Sequence, residues 1–259
     1  MMLAAQRKAA IQTEVANAGA LRVADLAEKL GVSEVTIRRD IDELSEQGLV
    51  AKVHGGVTTT TFSTTVEPEF SSTSQRETAA KKAIAREAAT LVKPGQAVAL
   101  MGGSTVFALA QELLDIEQLT VVTNSVPIFR QLSKEDSKKN WTVVLAGGEK
   151  TPTDSLVGPV AEQAFAMFNF DIAFMGTHGM DSVGGFSSPN MLEAEVNRRV
   201  IASTRETVVL ADHTKWNVRG FSSFGPLSSA SVVVVDADME PGALEELRSH
   251  ANRVLVGAL

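Results

Sequence analysis

Gly31-Val32-Ser33-Glu34-Val35-Thr36-Ile37-Arg38-Arg39-Asp40-Ile41 is the stretch on which the fold of this chain turns. Gly31 can adopt the left-handed conformation that ends a helix. Ser33 can cap the next one, because its hydroxyl accepts an orphan N–H of the first turn. Ile37, Ile41 and Leu44 then recur at helical spacing and point to a small core. That leaves Val35, Thr36, Arg38 and Arg39 on the outer side of the N-terminal half of the helix, where a recognition helix carries its base- and phosphate-contacting groups. The pattern is that of the tight turn and second helix of a helix-turn-helix.

The flanks agree with it. Residues 4–17 read as a first helix with Ile11 and Val15 on one face, residues 21–23 as a short extended piece, and residues 25–30 as a second helix. The recognition helix covers residues 34–47 and Gly48 stops it. Residues 49–57 read as a β-hairpin wing, with Lys52 and His54 alternating against apolar neighbours so that one face can meet a phosphate backbone. Charge argues the other way. Residues 1–60 carry seven basic and eight acidic side chains, whereas a nucleic-acid binder is expected to show a basic footprint. Distribution partly answers this, since Arg38 and Arg39 come early on the helix and Asp42, Glu43 and Glu46 late.

Val32-Ser33-x-x-Thr36-Ile37-Arg38-Arg39-Asp40-Ile41, followed by Leu44, Gly48 and His54-Gly55-Gly56, resembles the N-terminal domain of the DeoR family of bacterial transcriptional regulators. The resemblance implies a winged helix that binds operator DNA through Ser33, Val35, Thr36, Arg38, Arg39, Lys52 and His54, with Val35 tuning sequence preference. Asp40 is read instead as the partner of a neighbouring arginine. One small module reads a half-site, so a homodimer or homotetramer is expected.

The chain has 259 residues, enough for two domains, with 44% hydrophobic and 21% charged residues and a net charge of −7. It has no cysteine, which excludes disulfides and thiolate metal sites and fits a cytoplasmic location. No apolar run reaches the roughly 20 residues needed to span a bilayer, and residues 1–8 do not read as a signal peptide. Residues 58–75 are rich in Thr and Ser and read as an interdomain linker between a DNA-binding domain at 1–57 and a second domain at 76–259.

From Arg76 onward helices alternate with apolar strands at 97–100, 119–122, 143–145, 172–174, 208–210, 232–235 and 254–256. This predicts an α/β domain with a parallel sheet covered on both faces. Ligands in such sheets sit at the carboxyl ends of the strands. Those ends read Gly102-Gly103-Ser104-Thr105, Thr123-Asn124-Ser125, Gly147-Gly148, Gly176-Thr177-His178-Gly179 and Ala211-Asp212-His213-Thr214-Lys215. Glycines before a helix N-terminus let backbone N–H groups approach an anion, and Lys215 is a natural charge partner for a phosphorylated ligand. Residues 76–256 look like the DeoR-family sensor domain, which shares its fold with ribose-5-phosphate isomerase. That implies a phosphorylated sugar or related metabolite as effector. Its contacts are expected at Gly102, Gly103, Ser104, Thr105, Asn124, Gly147, Gly148, His178, Glu193, Asp212 and Lys215.

Two departures from the resemblance stand out. Many members carry an aspartate where this chain has Met101 or Gly102, and the isomerase Asp-Gly-Ala-Asp stretch is here Met175-Gly176-Thr177-His178. Glu193 could match the isomerase base, but without its supporting aspartates. The expectation is therefore a repressor of carbohydrate-metabolism genes, not an enzyme; the alternative is a sugar-phosphate isomerase fused to a DNA-binding module. No cofactor, metal or membrane partner is expected, because four histidines without cysteine show no metal-ligand spacing.

Overall fold

The computed structural model describes residues 4–18, 20–46, 50–53, 55–59, 64–65, 67, 69–134 and 140–258. Two compact units divide the chain at Ser63/Thr64. His54 and Gly48 lie outside the described residues.

In the first unit, α1 (Ala4–Ala18), α2 (Val23–Leu30) and α3 (Glu34–Glu46) pack with a three-stranded sheet of β1 (Ala20–Arg22), β2 (Val50–Val53) and β3 (Gly56–Thr59), ordered β1-β3-β2 and antiparallel throughout. Ile11, Val15, Leu26, Ile37, Ile41, Leu44, Val50 and Val57 form its core. Gly31 takes φ 64° at the end of α2, and its N–H closes back on Ala27 and Glu28. The Ser33 hydroxyl accepts from the Thr36 N–H at 3.3 Å, so the turn and cap read from sequence are both present. α2 begins two residues earlier than expected. Val23 is buried as its first residue, and its N–H donates to the Gly55 carbonyl at the wing turn. Asp40 is buried and takes a bidentate bond from Arg7, at 2.5 and 3.1 Å, which ties α1 to α3.

The second unit is built on a seven-stranded, all-parallel sheet. Its strands are β4 (Ala97–Leu100), β5 (Thr120–Thr123), β6 (Thr142–Leu145), β9 (Phe170–Gly176), β12 (Thr204–Leu210), β14 (Val232–Asp236) and β15 (Val254–Gly257), ordered β15-β14-β12-β9-β4-β5-β6. Successive residues of a strand point to opposite faces. Val98 and Leu100 therefore enter one apolar layer and Ala99 and Met101 the other. Both faces are buried, as continuous apolar strands require. The chain runs β4-β5-β6 in one direction and then returns to the other edge of β4 as β9. This reversal makes the β4/β9 boundary the switch point of the sheet, where the loops diverge and leave a crevice.

Sequence reading missed the smaller elements. A hairpin of β7 (Glu149–Lys150) and β8 (Leu156–Val157) follows β6, and β10 (Gly179–Asp181), β11 (Gly185–Ser188) and β13 (Ser222–Gly225) form a second antiparallel sheet. These strands hold only two to four residues each, too few for an alternation to announce them. The stretch read as a linker is divided. Thr58 and Thr59 belong to β3, whereas residues from Thr64 onward fall in the second unit. There α4 (Phe70–Ser74) lies with the Phe70 ring edge-on to Phe107, centroids 5.6 Å apart, and the Phe70 N–H donates to Pro152. The phenylalanine supplies the anchoring that the Thr/Ser composition concealed.

Ile37 has no exposed surface. Ile37→Ala is expected to cost about 2–5 kcal/mol through lost burial and a residual cavity. A urea melt followed by far-UV circular dichroism should show the N-terminal unit unfolding at lower denaturant while the second unit keeps its midpoint.

Candidate functional site

The first unit offers a surface and the second a crevice. On the surface, Val35 is 76% exposed at the start of α3, beside Glu34, Arg38 and Arg39. Thr36 Oγ1 lies 2.9 Å from Ser33 Oγ, so the two hydroxyls steady each other at the helix N-terminus. Each candidate cation already has an acidic partner: Arg38 pairs with Glu34 at 3.1 Å, Arg39 with Glu43 at 3.4 Å, and Lys52 with Asp42 at 2.7 Å. Exposed pairs of this kind contribute about 0–1 kcal/mol, so phosphates can displace them at small cost. Arg7 is engaged with Asp40 and stands apart from this set.

In the second unit, α6 (Ser104–Glu112) starts directly above the switch point. Its N-cap is Gly103, φ 130°, which supplies no side-chain cap. The first-turn N–H groups of Ser104 and Thr105 therefore face outward with the positive end of the helix dipole. Gly102 is different. Its N–H donates to Asn124 Oδ1 at 2.9 Å, and Asn124 Nδ2 donates to the Leu156 carbonyl at 3.0 Å. Asn124 is buried and braces β4 against β8. A Cβ on Gly102 would lie 1.9 Å from Ser155 Oγ, so the Ser155 side chain already fills that space.

Across the switch point stands β9, ending in Gly176-Thr177-His178. Burial pushes the His178 imidazole down to about 4, with Lys215 adding to the effect and Glu67 opposing it. His178 thus lies in the fields of an ammonium and a carboxylate. Lys215 follows β12, and among the described residues its ammonium has no carboxylate within 4 Å. Asp212 is buried and caps its own turn by accepting from Thr214. It also acts on Lys81, whose ammonium donates to the carbonyls of Thr73 at 2.6 Å and Arg76 at 2.7 Å. Burial pulls Lys81 down to about 8.

Glu193 lies in the first turn of α9 (Met191–Ala202), which Asn190 caps. Burial pushes its carboxyl up to about 7; a bond from the Ser188 hydroxyl opposes the rise and Glu67 adds to it. Charge links His178 to Lys215 and Glu67, Glu193 to Glu67, and Lys81 to Asp212 and Lys215, while Gly103, Ser104 and Thr105 follow β4, the neighbour of β9 in the sheet. Gly147 and Gly148 follow β6, two strand positions from β4 and four from β12, and lead into the β7–β8 hairpin that carries Thr153 and Ser155. The φ of Gly148, 143°, and its approach to the Val157 backbone belong to the β7–β8 hairpin. Glu67, Thr153, Ser155, Ser188 and Asn190 were not foreseen. No motif marks them, because they converge through loops distant in sequence.

Among the described residues, His213, Asp236 and Asp238 alone bring three possible metal-ligand atoms within 4.8 Å. Asp236 is already occupied. It accepts from the His213 N–H at 2.7 Å, the Asp238 N–H at 3.2 Å and the His213 ring at 2.8 Å. Burial lowers the His213 pKa, but the Asp236 bond and charge outweigh it and the net shift is upward. No helix among the described residues is long and apolar enough to cross a membrane.

A winged helix-turn-helix joined to a parallel-sheet domain with a polar crevice defines a DNA-binding regulator with a sensor module. Residues 7–62 match the family profile described as the DeoR-like helix-turn-helix domain, and residues 76–237 the DeoR C terminal sensor domain. The chain is 33% identical over 98% of its length to the uncharacterized HTH-type transcriptional regulator YulB of Bacillus subtilis, covering 96% of that protein. It is 32% identical to the HTH-type transcriptional regulator GlpR of Haloferax volcanii, over 99% of both chains. The lactose phosphotransferase system repressor of Staphylococcus aureus is 30% identical over 86% of this chain and 88% of its own. Among solved structures, ribose 5-phosphate isomerase a of Methanocaldococcus jannaschii is 19% identical with a TM-score of 0.37; the match covers 52% of this chain and about half, 53%, of that one. The chain belongs to the DeoR family of helix-turn-helix transcriptional regulators.

The two units yield separate expectations. Replacing Arg38 and Arg39 together by Ala should abolish binding to the native upstream DNA at moderate salt. Any residual binding should show a log K against log salt slope shallower by about 0.9 for each lost phosphate contact. In the second unit, the Glu193 carboxyl is raised from its ordinary 4.5 to about 7. Its favourable contribution is complete below pH 4.5 and is lost as pH rises through 7, because the folded state binds the extra proton there. The stability difference between the wild type and Glu193→Gln, from thermal melts between pH 5 and 8, should show that decline, since His178, lowered to about 4, adds an opposite slope below pH 6.5 that both proteins share.

Proposed function

We propose that this protein is an operator-binding repressor of carbohydrate-metabolism genes whose operator affinity is set by a phosphorylated sugar or related metabolite. The observation that carries the reading is a helix N-terminus without a side-chain cap at the sheet switch point, with a lysine after the neighbouring strand β12 that has no carboxylate within 4 Å among the described residues. These are the two standard means of holding a phosphate, backbone N–H groups with a helix dipole and a mobile cation. The printed name of the Staphylococcus aureus relative, a sugar phosphotransferase repressor, supports the same class of effector.

Contacts to DNA are assigned to Ser33, Val35, Thr36, Arg38, Arg39, Lys52 and His54, and to the effector at Gly103, Ser104, Thr105, His178, Glu193, Asp212 and Lys215. Gly102, Asn124, Gly147 and Gly148 act by shaping the loops. The protein works in the cytoplasm as a homodimer or homotetramer, so that paired helices read paired half-sites. Effector control requires unequal effector affinity for the DNA-competent and incompetent states, a coupling typically of about 1–3 kcal/mol. The domain is a sensor and not an isomerase. Isomerisation needs carboxylates to hold the open-chain sugar beside a base. Met175 is buried in the core and His178 is held neutral, where the isomerase stretch would supply acids.

Trp216 adjoins Lys215, and the only other tryptophan, Trp141, is buried with its Nε1 on the Ile116 carbonyl. A fluorescence titration with pentose, hexose and glycerol phosphates should give a saturable change from Trp216. Lys215→Ala should weaken the phosphorylated ligand by about tenfold or more, the loss of one charge-assisted contact. Saturation by an unphosphorylated sugar alone would overturn the assignment.

A further inference from the structure

The carboxylate missing from the end of β4 has a substitute elsewhere in the crevice. We propose that Glu67 is a specificity-determining residue of the sensor site, accepting hydrogen bonds from hydroxyl groups of the ligand and disfavouring a second phosphate at that end. The proposal rests on the reading of the crevice as a site for a phosphorylated polyol.

The present packing leaves no space for an acidic side chain at the end of β4. Met101 is turned into the apolar layer, and any Cβ on Gly102 would collide with Ser155. The space leads instead to a chain of hydroxyls. Ser155 Oγ lies 3.3 Å from Thr153 Oγ1, and Thr153 donates to Glu67 Oε1 at 2.8 Å. From the opposite side Asn190 Nδ2 donates to Glu67 Oε2 at 3.0 Å, while Asn190 Oδ1 caps α9. Glu67 is thus clamped between the β7–β8 loop and the start of α9 by two neutral donors.

Among the described residues, no cation lies within 4 Å of this half-buried carboxylate. Each of its oxygens accepts one hydrogen bond and has room for another. A half-buried carboxylate ordinarily gathers cations or further donors, since desolvation without partners is unfavourable. Its charge acts on His178 and Glu193, and Lys215 acts on His178 as well. The crevice therefore has one side where Lys215 and Lys81 stand with the Asp212 carboxylate, and an acceptor side at Glu67 and Glu193. A polyol monophosphate fits both sides with its charged end on the first and its hydroxyls on the second. A bisphosphate would set its second anionic group against two carboxyl groups.

Isothermal titration calorimetry on the full chain tests this with inorganic phosphate, a panel of pentose, hexose and glycerol monophosphates, and the bisphosphate of the tightest sugar. The wild type should bind at least one monophosphate far more tightly than inorganic phosphate. Glu67→Gln should weaken that monophosphate by about tenfold or more, the scale of one hydrogen bond to a charged group. It should leave inorganic phosphate unchanged and narrow the gap to the bisphosphate. Glu67→Asp keeps the charge and should recover part of the loss. Wild-type monophosphate affinity in Glu67→Gln would overturn the role of Glu67 while leaving the phosphosugar site intact. Equal loss of inorganic phosphate and monophosphate would reduce Glu67 to a structural brace and also overturn it. If no monophosphate outcompetes inorganic phosphate in the wild type, the phosphosugar reading itself fails.

Discussion

The pairing of β9 along β4 governs the sensor domain. After building β4, β5 and β6 outward, the chain must return and hydrogen-bond to the edge of β4 that was left free. The loops after β4 and β9 consequently leave in opposite directions, and a crevice opens between them. The close approach there also dictates residue size: Gly102 has no room for a side chain, Ser155 fills the gap, and Asn124 locks the loop after β4 to β8. The helix that follows is left with its N-terminus uncapped and facing the crevice.

Electrostatics in the two units follow opposite rules. On the DNA-binding surface, Arg38, Arg39 and Lys52 are exposed and each is matched by an acid on the same surface. Such pairs are weak in water, so they do not obstruct phosphate contacts, but they deprive the unit of long-range attraction. This explains how a chain of net charge −7 can carry a helix-turn-helix. Affinity then depends on fit more than on a basic field. In the crevice, charges are half-buried, and the shifts of His178 and Glu193 record their desolvation first and their neighbours second. Two ammonium groups, Lys81 and Lys215, share their surroundings with Asp212, and Glu67 and Glu193 act on each other further along.

Much of this was legible before any coordinates. The helix-turn-helix rests on local rules. A left-handed glycine, a serine cap and isoleucines four residues apart depend on neighbours within one turn of helix, and the structure repeats them at Gly31, Ser33, Ile37 and Ile41. The pairing of Asp40 with an arginine was foreseen as well, though its partner, Arg7, comes from α1. The parallel sheet was legible for the same reason, since strands buried on both faces must be continuously apolar. The strands β7, β8, β10, β11 and β13 were not, because strands of two to four residues carry no such signature.

What tertiary structure alone decided is which polar residues share a site. Sequence placed Gly147, Gly148, Gly102 and Asn124 among the ligand contacts because they follow strands. In the folded chain the first pair shapes a hairpin and the second pair bonds to each other. Conversely, Glu67 and Asn190 are 123 residues apart and meet through a single hydrogen bond that no pattern announces. Glycine turns, caps and hydrophobic periods are properties of short segments, so the sequence by itself determined the elements and their order. A receptor's charge arrangement is a property of distances between segments. Those distances exist only once the chain has returned to pair β9 with β4.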